Sequence, residues 1–243
     1  MGRAFEYRKA RKLKRWGNMA RVFTRIGKEI SIAVKEGGPD PENNPHLRAI
    51  IQTAKRENMP KDNIERAIKN AMGKNQKDYK VMNYEGYAPH GIAVFVETAT
   101  DNTTRTVANV RAAFNKCNGS LGVSGSVDFM FKHQCVFTFG LKEGLEVEDL
   151  ILELIDFGID DEYEVEDDEI TIYADFQQFN TIQTYLEENG FEIKSSEFTR
   201  TPTVEKELSG EEREEVEKLI ERLEEDEDVQ NVYTTLKPVL DEE

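Results

Sequence analysis

Apolar positions in the first eighty residues recur with a helical period. Phe23, Ile26, Ile30, Ala33 and Val34 fall at i, i+3, i+7, i+10 and i+11, so they share one face of a helix. Gly37-Gly38 ends that helix, and Pro39 and Pro41 bar its continuation. Asn44-Pro45 reads as an N-cap followed by proline at the first helical position, and Leu47, Ile50, Ile51 and Ala54 form a second apolar face. Pro60 opens a third helix, with Ile64, Ala67, Ile68, Ala71 and Met72 inward and Gly73 closing it. Three short amphipathic helices can share one small core. Residues 3–17 carry Phe5, Leu13 and Trp16 without sustained periodicity, and are expected to form an arm or a helix that orders on contact.

Past residues 74–83, which are polar and read as a linker, the pattern becomes strand-like. IAVFVETA (92–99) is a strand by composition, and Asp101-Asn102-Thr103-Thr104 offers capping residues for a helix bearing Val107, Val110 and Phe114. Asn118-Gly119 stops that helix, and SVDFMF (126–131) reads as the next strand. QCVFTF (134–139) opens a second set. A helix with Leu150, Ile151, Leu154 and Ile155 follows, then short strands near Glu162–Val165 and Ile170–Tyr173, a helix around Phe179–Leu186 and a strand from Phe191. That order is β-α-β-β-α-β, the ferredoxin-like one. The tail supplies TVEKEL as a strand, a helix over Gly210–Asp226 with Val216, Leu219, Ile220 and Leu223 on one face, and VQNVYTTL (229–236) as a strand.

The three elements before residue 134 and the three after about 202 also make β-α-β-β-α-β when joined. The predicted class is therefore α+β: an N-terminal three-helix domain plus two ferredoxin-like α/β domains, one inserted in the other. The expected divisions are 1–80, then 81–133 with 202–243 as a discontinuous domain, and 134–201 as the insert. The alternative is two consecutive α+β domains with the tail helix packed outside.

Charge sharpens this division. The chain of 243 residues has a formal net charge of −16, yet its first 80 residues hold 20 Lys or Arg against 9 Asp or Glu, and the remainder hold 12 against 39. Between Arg3 and Arg15 alone stand Arg3, Arg8, Lys9, Arg11, Lys12, Lys14 and Arg15, opposed by Glu6. Phosphate backbones attract such clusters through counterion release, and Arg adds a planar bidentate fork. The plainer reading is a solvated basic tail, but the acidity of the rest of the chain leaves the run unexplained by composition. The candidate nucleic-acid-binding residues are Arg3, Arg8, Lys9, Arg11, Lys12, Lys14, Arg15, Arg21, Arg25, Lys28, Lys55, Arg56 and Lys61. Trp16 and Phe5 either stack on bases or anchor the arm to the helices.

Other chemistry is thinly represented. Two cysteines, Cys117 and Cys135, and three histidines give no zinc-finger spacing and no disulfide framework, so a reducing cytoplasm with both thiols buried is expected. EYEVEDDE (162–169) and ERLEEDED (221–228) lack the ligand spacing and turn glycine of a Ca²⁺ loop, and read as solvated acidic faces or as contacts for basic proteins. GSLGVSGS (119–126) lacks the GK[ST] of a P-loop and reads as a loop. EGYAPHGI (85–92) reads as a tight turn before a strand, and Asp101, Asn102 and Arg105 as a helix cap rather than an anion site. No G-x-S-x-G, H-E-x-x-H or C-x-x-C occurs, so neither catalysis, nor a metal, nor a cofactor is expected. No apolar run is long enough for a bilayer, and the basic N-terminus has no apolar segment behind it as a secretory signal would.

VFTRIGKEI at 22–30, the run from Gly37-Gly38 through Asp40-Pro41 and Asn44-Pro45 to Leu47-Arg48, NMPKDNIERAI at 58–68, EGYAPHGIAVFVETATDN at 85–102 with Arg105-Thr106, and DVQNVY at 228–233 together resemble the YebC/PmpR family. The resemblance covers nearly the whole chain. It departs at the start, where many relatives have a Gly-His-Ser-Lys-Trp run and this chain has Gly2-Arg3-Ala4-Phe5-Glu6. The resemblance implies three domains, a helical one and two α/β ones with the last inserted in the second. It also implies two competing functions. One is a DNA-binding transcriptional regulator. The other is a translation factor that meets ribosomal RNA and relieves stalled synthesis. The expected partner is thus DNA or ribosomal RNA, with the ribosome behind the second reading and no membrane. A small-molecule sensor built on ferredoxin-like domains is a third reading, by fold analogy alone.

Overall fold

A computed structural model describes residues 19–73, 77–142 and 144–239 of the chain. Among the described residues three helices come first: α1 (Met19–Gly37), α2 (Pro45–Arg56) and α3 (Lys61–Ala71). Ile26, Ile30, Ala33 and Val34 of α1 close with Leu47, Ile50 and Ala54 of α2, Ile64 of α3 and Met59 into one core. The α1–α2 turn is stitched by Asn44. Its Oδ1 accepts from the Leu47 amide at 3.0 Å to cap α2, while its Nδ2 donates to the carbonyls of Ala33 and Gly38. Gly37 is required there, because a Cβ would lie 2.7 Å from the Asn44 side chain. Met72, expected inward, is exposed: α3 ends at Ala71 and leaves Met72 at the C-cap.

The remaining chain forms two four-stranded antiparallel sheets. The first joins β1 (Lys80–Tyr87), β2 (Ala93–Thr100), the two-residue β3 (Ser120–Leu121) and, from the far end of the chain, β8 (Val229–Thr234), in the order β3-β1-β2-β8. Helices α4 (Thr103–Lys116) and α7 (Gly210–Glu224) cover one face, where Val94, Val96, Val110, Phe114, Val216 and Leu219 pack. The other face carries Ala93, Phe95, Val127, Phe131 and Tyr233. Burial on both faces is why the centre of β2 is an unbroken apolar run.

Between β3 and α7 the chain builds the second sheet from β4 (Phe131–Gly140), β5 (Ile159–Glu166), β6 (Glu169–Asp175) and β7 (Ile193–Pro202), with α5 (Val147–Ile155) and α6 (Phe179–Glu188) on one face. Its order, β5-β6-β4-β7, is the ferredoxin-like arrangement of a β-α-β-β-α-β chain, and one sheet is thus inserted within the other. Phe137, Phe139, Leu154, Ile172, Ile182 and Leu186 fill its core.

The expected elements and the observed ones differ in the first sheet. Most of the supposed linker and turn between 80 and 87 is strand β1, paired with β2 from Lys80↔Thr100 to Tyr87↔Ala93. Its side chains show no apolar alternation, since Val81 and Met82 face solvent and the partner backbone supplies the pairing. SVDFMF is a loop and a 3₁₀ turn, with β4 starting only at Phe131. The buried Glu85 carboxylate causes this by accepting the amides of Gly125, Val127 and Asp128 at 2.7–2.8 Å, which takes them out of any ladder. Burial alone would raise the Glu85 carboxyl; those amides outweigh it and lower its pKa. TVEKEL contributes a single bridge, Lys206↔Leu236. The place beside β2 that a second hairpin strand would take is filled by β1, so the ferredoxin-like spatial order is reached with the strands in a different chain order.

Candidate nucleic-acid interface

The helical unit rests on both sheets, and much of its positive charge is spent holding it there. Lys28 of α1 is only 7% exposed, and its Nζ donates to Asp228 Oδ1 at 2.9 Å and to the carbonyls of Glu227 and Ala99 at 2.7 and 3.1 Å. All three ammonium hydrogens are used. Asp228 Oδ2 in turn accepts from Arg105 at 2.6 Å, Thr106 at 2.9 Å and Thr100 at 3.1 Å. Burial would push this carboxyl up; the hydrogen bonds from Arg105, Lys28 and Thr106 prevail and hold it at about 2. Arg25 donates to the Glu224 carbonyl at 3.2 Å.

α2 docks on β7 in the same manner. Arg56 reaches Ser195 Oγ at 2.9 Å and Glu169 at 3.3 Å, Thr53 donates to the Ser196 carbonyl, and Arg48 forks across Glu187 at 2.7 and 2.8 Å. Lys28, and in large part Arg25 and Arg56, are therefore withdrawn from the surface set that charge counting suggests. Nothing in local sequence marks them, because their acceptors lie 71 or more residues away.

The outward cations are a smaller group. Arg21, Lys55 and Lys61 are exposed, Lys61 lying 3.5 Å from Glu65 on the same helix. Arg66 and Lys69 join them on the outer side of α3, a pair the sequence places opposite Ile64 and Ile68. Arg3, Arg8, Lys9, Arg11, Lys12, Lys14 and Arg15 lie outside the described residues.

Elsewhere, Asn102 Oδ1 caps α4 by accepting from the Arg105 amide at 3.0 Å, and Asp101 pairs with Arg105 at 2.9 Å. His90 sits in a tight turn at φ 62°, its Nε2 2.9 Å from Glu215. Cys135 is buried in β4, its thiol pushed up to about 12 by desolvation, while Cys117 is half-buried. Among the described residues no group of three His, Cys, Asp or Glu side chains converges to hold a metal ion, and no helix is long and apolar enough to cross a membrane.

A small helical unit clamped onto two nested α/β sheets and bound inward through ion pairs defines the class. Two family descriptions fit it: TACO1/YebC protein N-terminal domain over residues 3–74, and TACO1/YebC second and third domain over residues 79–236. The chain belongs to the TACO1/YebC family. It is 72% identical over 238 residues to "Probable transcriptional regulatory protein BF2589" of Bacteroides fragilis, covering 98% of this chain and 97% of that one. A probable transcriptional regulatory protein of Parabacteroides distasonis is 67% identical over 237 residues, with 98% and 97% covered. Among solved structures, a conserved hypothetical protein, Aq1575 from Aquifex aeolicus, superposes with a TM-score of 0.73 at 34% identity, covering 93% of this chain and 95% of that one.

Proposed function

We propose that the protein is a nucleic-acid-binding regulator of gene expression, working in the cytoplasm by binding rather than by catalysis. It grips DNA through the N-terminal basic run and the outward cations of the helical unit. The observation that carries this reading is the segregation of charge. The first 80 residues hold 20 Lys or Arg against 9 acids, whereas the two sheets are drawn from the acidic remainder. The relatives named as probable transcriptional regulators support the regulatory role. A polyanion meeting such a molecule is attracted at one end and repelled at the other.

The test is duplex binding as a function of salt. With six to eight phosphates engaged, the log–log slope is expected at about −5 to −7, its magnitude falling by roughly one for each phosphate released from the grip. Replacing Arg8, Lys9, Arg11 and Lys12 together with Ala should flatten it. A salt-independent affinity, or one unchanged by the four substitutions, defeats the reading.

The second reading is a ribosome-associated translation factor, in which the basic end meets ribosomal RNA and the acidic sheets meet basic proteins. The 39 acidic side chains after residue 80 favour it, since a dedicated duplex binder gains nothing from them. Co-sedimentation with ribosomes at low salt is its signature, and absence from ribosomal fractions counts against it.

A further inference from the structure

β5 forms one edge of the second sheet, and among the described residues no strand pairs with its outer side. The opposite edge, β7, is covered where α2 docks on it. The hairpin that joins β5 to β6 fixes what the open edge offers. A two-residue turn, Asp167-Asp168, makes Glu166 and Glu169 the hydrogen-bonded pair beside it. Such pairs alternate along an antiparallel ladder, so the backbone N–H and C=O groups of Tyr163 and Val165 point outward. The register shift between Ile159 and Tyr163 ends the straight part of the edge.

The two faces of this edge differ. Tyr163 and Val165 stand opposite Ile172 and Ile170 of the core and share their face, yet both are exposed. α5 lies over that face. Its Glu153 accepts from Tyr185 of α6, so that flank of α5 looks toward α6. Ile155 falls about 160° round the helix from Glu153, on the flank toward β5, with Leu152 beside it on the solvent side. Leu152, Ile155, Tyr163 and Val165 are between 38% and 65% exposed. Single exposed apolar residues are ordinary; four along one sheet edge, rimmed by charge, mark a contact surface.

The other face is acidic. Glu164 and Glu166 stand there opposite Thr171 and Glu169. Arg56 reaches Glu169 at 3.3 Å and Lys132 reaches Asp160 at 3.9 Å, which leaves the balance negative. Between Lys142 and Lys194 the chain holds 18 Asp or Glu and no Lys, Arg or His. Charge therefore decides what can lie along the edge. Acids on an open strand repel a second copy of that strand, and they repel nucleic acid. A basic segment is drawn in.

We infer that β5 is a docking edge for a basic segment of another protein, added as an antiparallel strand along residues 163–166. Alternate side chains of that segment are apolar, over Tyr163, Val165 and Ile155, and the others are Lys or Arg, over Glu164 and Glu166. The docking edge deepens the second reading, from which it takes the contact between acidic sheets and basic proteins, and gives that contact a place.

The test is fluorescence anisotropy of the full chain with a labelled peptide, Gly-Lys-Val-Lys-Val-Lys-Val-Lys-Gly, in about 0.15 M salt. A Kd of about 10–100 µM is expected. Gly-Lys-Lys-Val-Val-Val-Lys-Lys-Gly has the same charge and composition without the alternation, and should bind at least about tenfold more weakly. Only alternate amides of an added strand bond to the edge. N-methylation of the valine amides should therefore abolish binding, and N-methylation of the lysine amides should leave it within about twofold. Val165→Pro removes one outward N–H, a change that an edge strand tolerates, and should weaken binding at least about tenfold with Tm unchanged. The two methylated peptides act on the unaltered protein and decide the matter if that variant does not fold. The docking edge is overturned if the permuted peptide matches the alternating one, if the methylated peptides bind alike, or if Val165→Pro folds and binds as before. A dimer in sedimentation that Val165→Pro dissolves also overturns it, since the edge then serves a second copy. So does peptide binding at least about tenfold tighter once Arg8, Lys9, Arg11 and Lys12 become Ala, since the chain's own basic run is then the occupant. Ribosome co-sedimentation tests the second reading by itself: its absence with the peptide still bound defeats that reading and leaves the edge, and its presence without peptide binding does the reverse. Duplex binding by Val165→Pro is expected at the wild-type level.

Discussion

Asp228 shows how one carboxylate can hold three parts of a chain. It stands beside β8, takes the Lys28 ammonium from α1, and takes Arg105 and Thr106 from α4. Its pKa is near 2 when folded, against about 3.9 for a free aspartate. A group whose pKa is depressed by folding contributes fully above its unfolded value and loses that contribution as pH falls through its folded one. Urea midpoints should therefore fall steeply between about pH 4 and pH 2. Asp228→Asn should be less stable at neutral pH and show a flatter acid limb; an unchanged limb would mean that other carboxylates govern acid unfolding. The same residue marks a limit of sequence reading. Lys28 looks like a surface cation because helical periodicity reports one apolar face. Its burial arises from a second face that another part of the chain covers, and its partner is 200 positions away.

At the scale of elements, legibility followed self-sufficiency. α1, α2 and α3 each carry an apolar stripe and recognisable stops, and the strands and helices of the second sheet each read correctly in order. β1 did not, because its pairing comes from β2 and its exposed Val81 and Met82 break the alternation. β3 is two residues long and is placed by its neighbours rather than by its own pattern. In particular, Gly86 lets β3 approach: a Cβ there would stand 2.5 Å from the Ser120 carbonyl oxygen and 2.8 Å from the Phe114 ring. Gly86→Ala should thus cost about 1–3 kcal/mol, since backbone and a fully buried ring must both move. Gly27→Ala, in α1 with nothing within 4 Å of the new methyl, should gain roughly 0.5–1 kcal/mol. Paired denaturation curves of the two variants check both signs.

The whole molecule is three units tied by polar links: Lys28–Asp228 between helices and first sheet, Arg48–Glu187 between helices and second sheet, and Arg200–Glu97 between the sheets. They differ in weight. The Arg48 and Glu187 side chains are about a third exposed or less, whereas Lys28 and Asp228 are 9% and 5% exposed. Breaking a buried pair on one side costs about 3–5 kcal/mol, and Arg105 still serves Asp228, so Lys28→Ala belongs at the lower end. Calorimetry of Lys28→Ala should show that loss together with a separate, earlier transition of the helical unit. A single transition at the original temperature would mean that apolar contact alone holds the units together.

The placement of β8 has a bearing on how the molecule is made. A chain synthesised from its N-terminus can finish the second sheet as soon as residue 202 is free, but β2 keeps one bare edge until residues 229–234 follow. The counter-ion for Lys28 arrives with the same few residues. Until then a nascent chain holds one completed sheet and one open ribbon, and is exposed to wrong pairing for as long as residues 203–228 are being added.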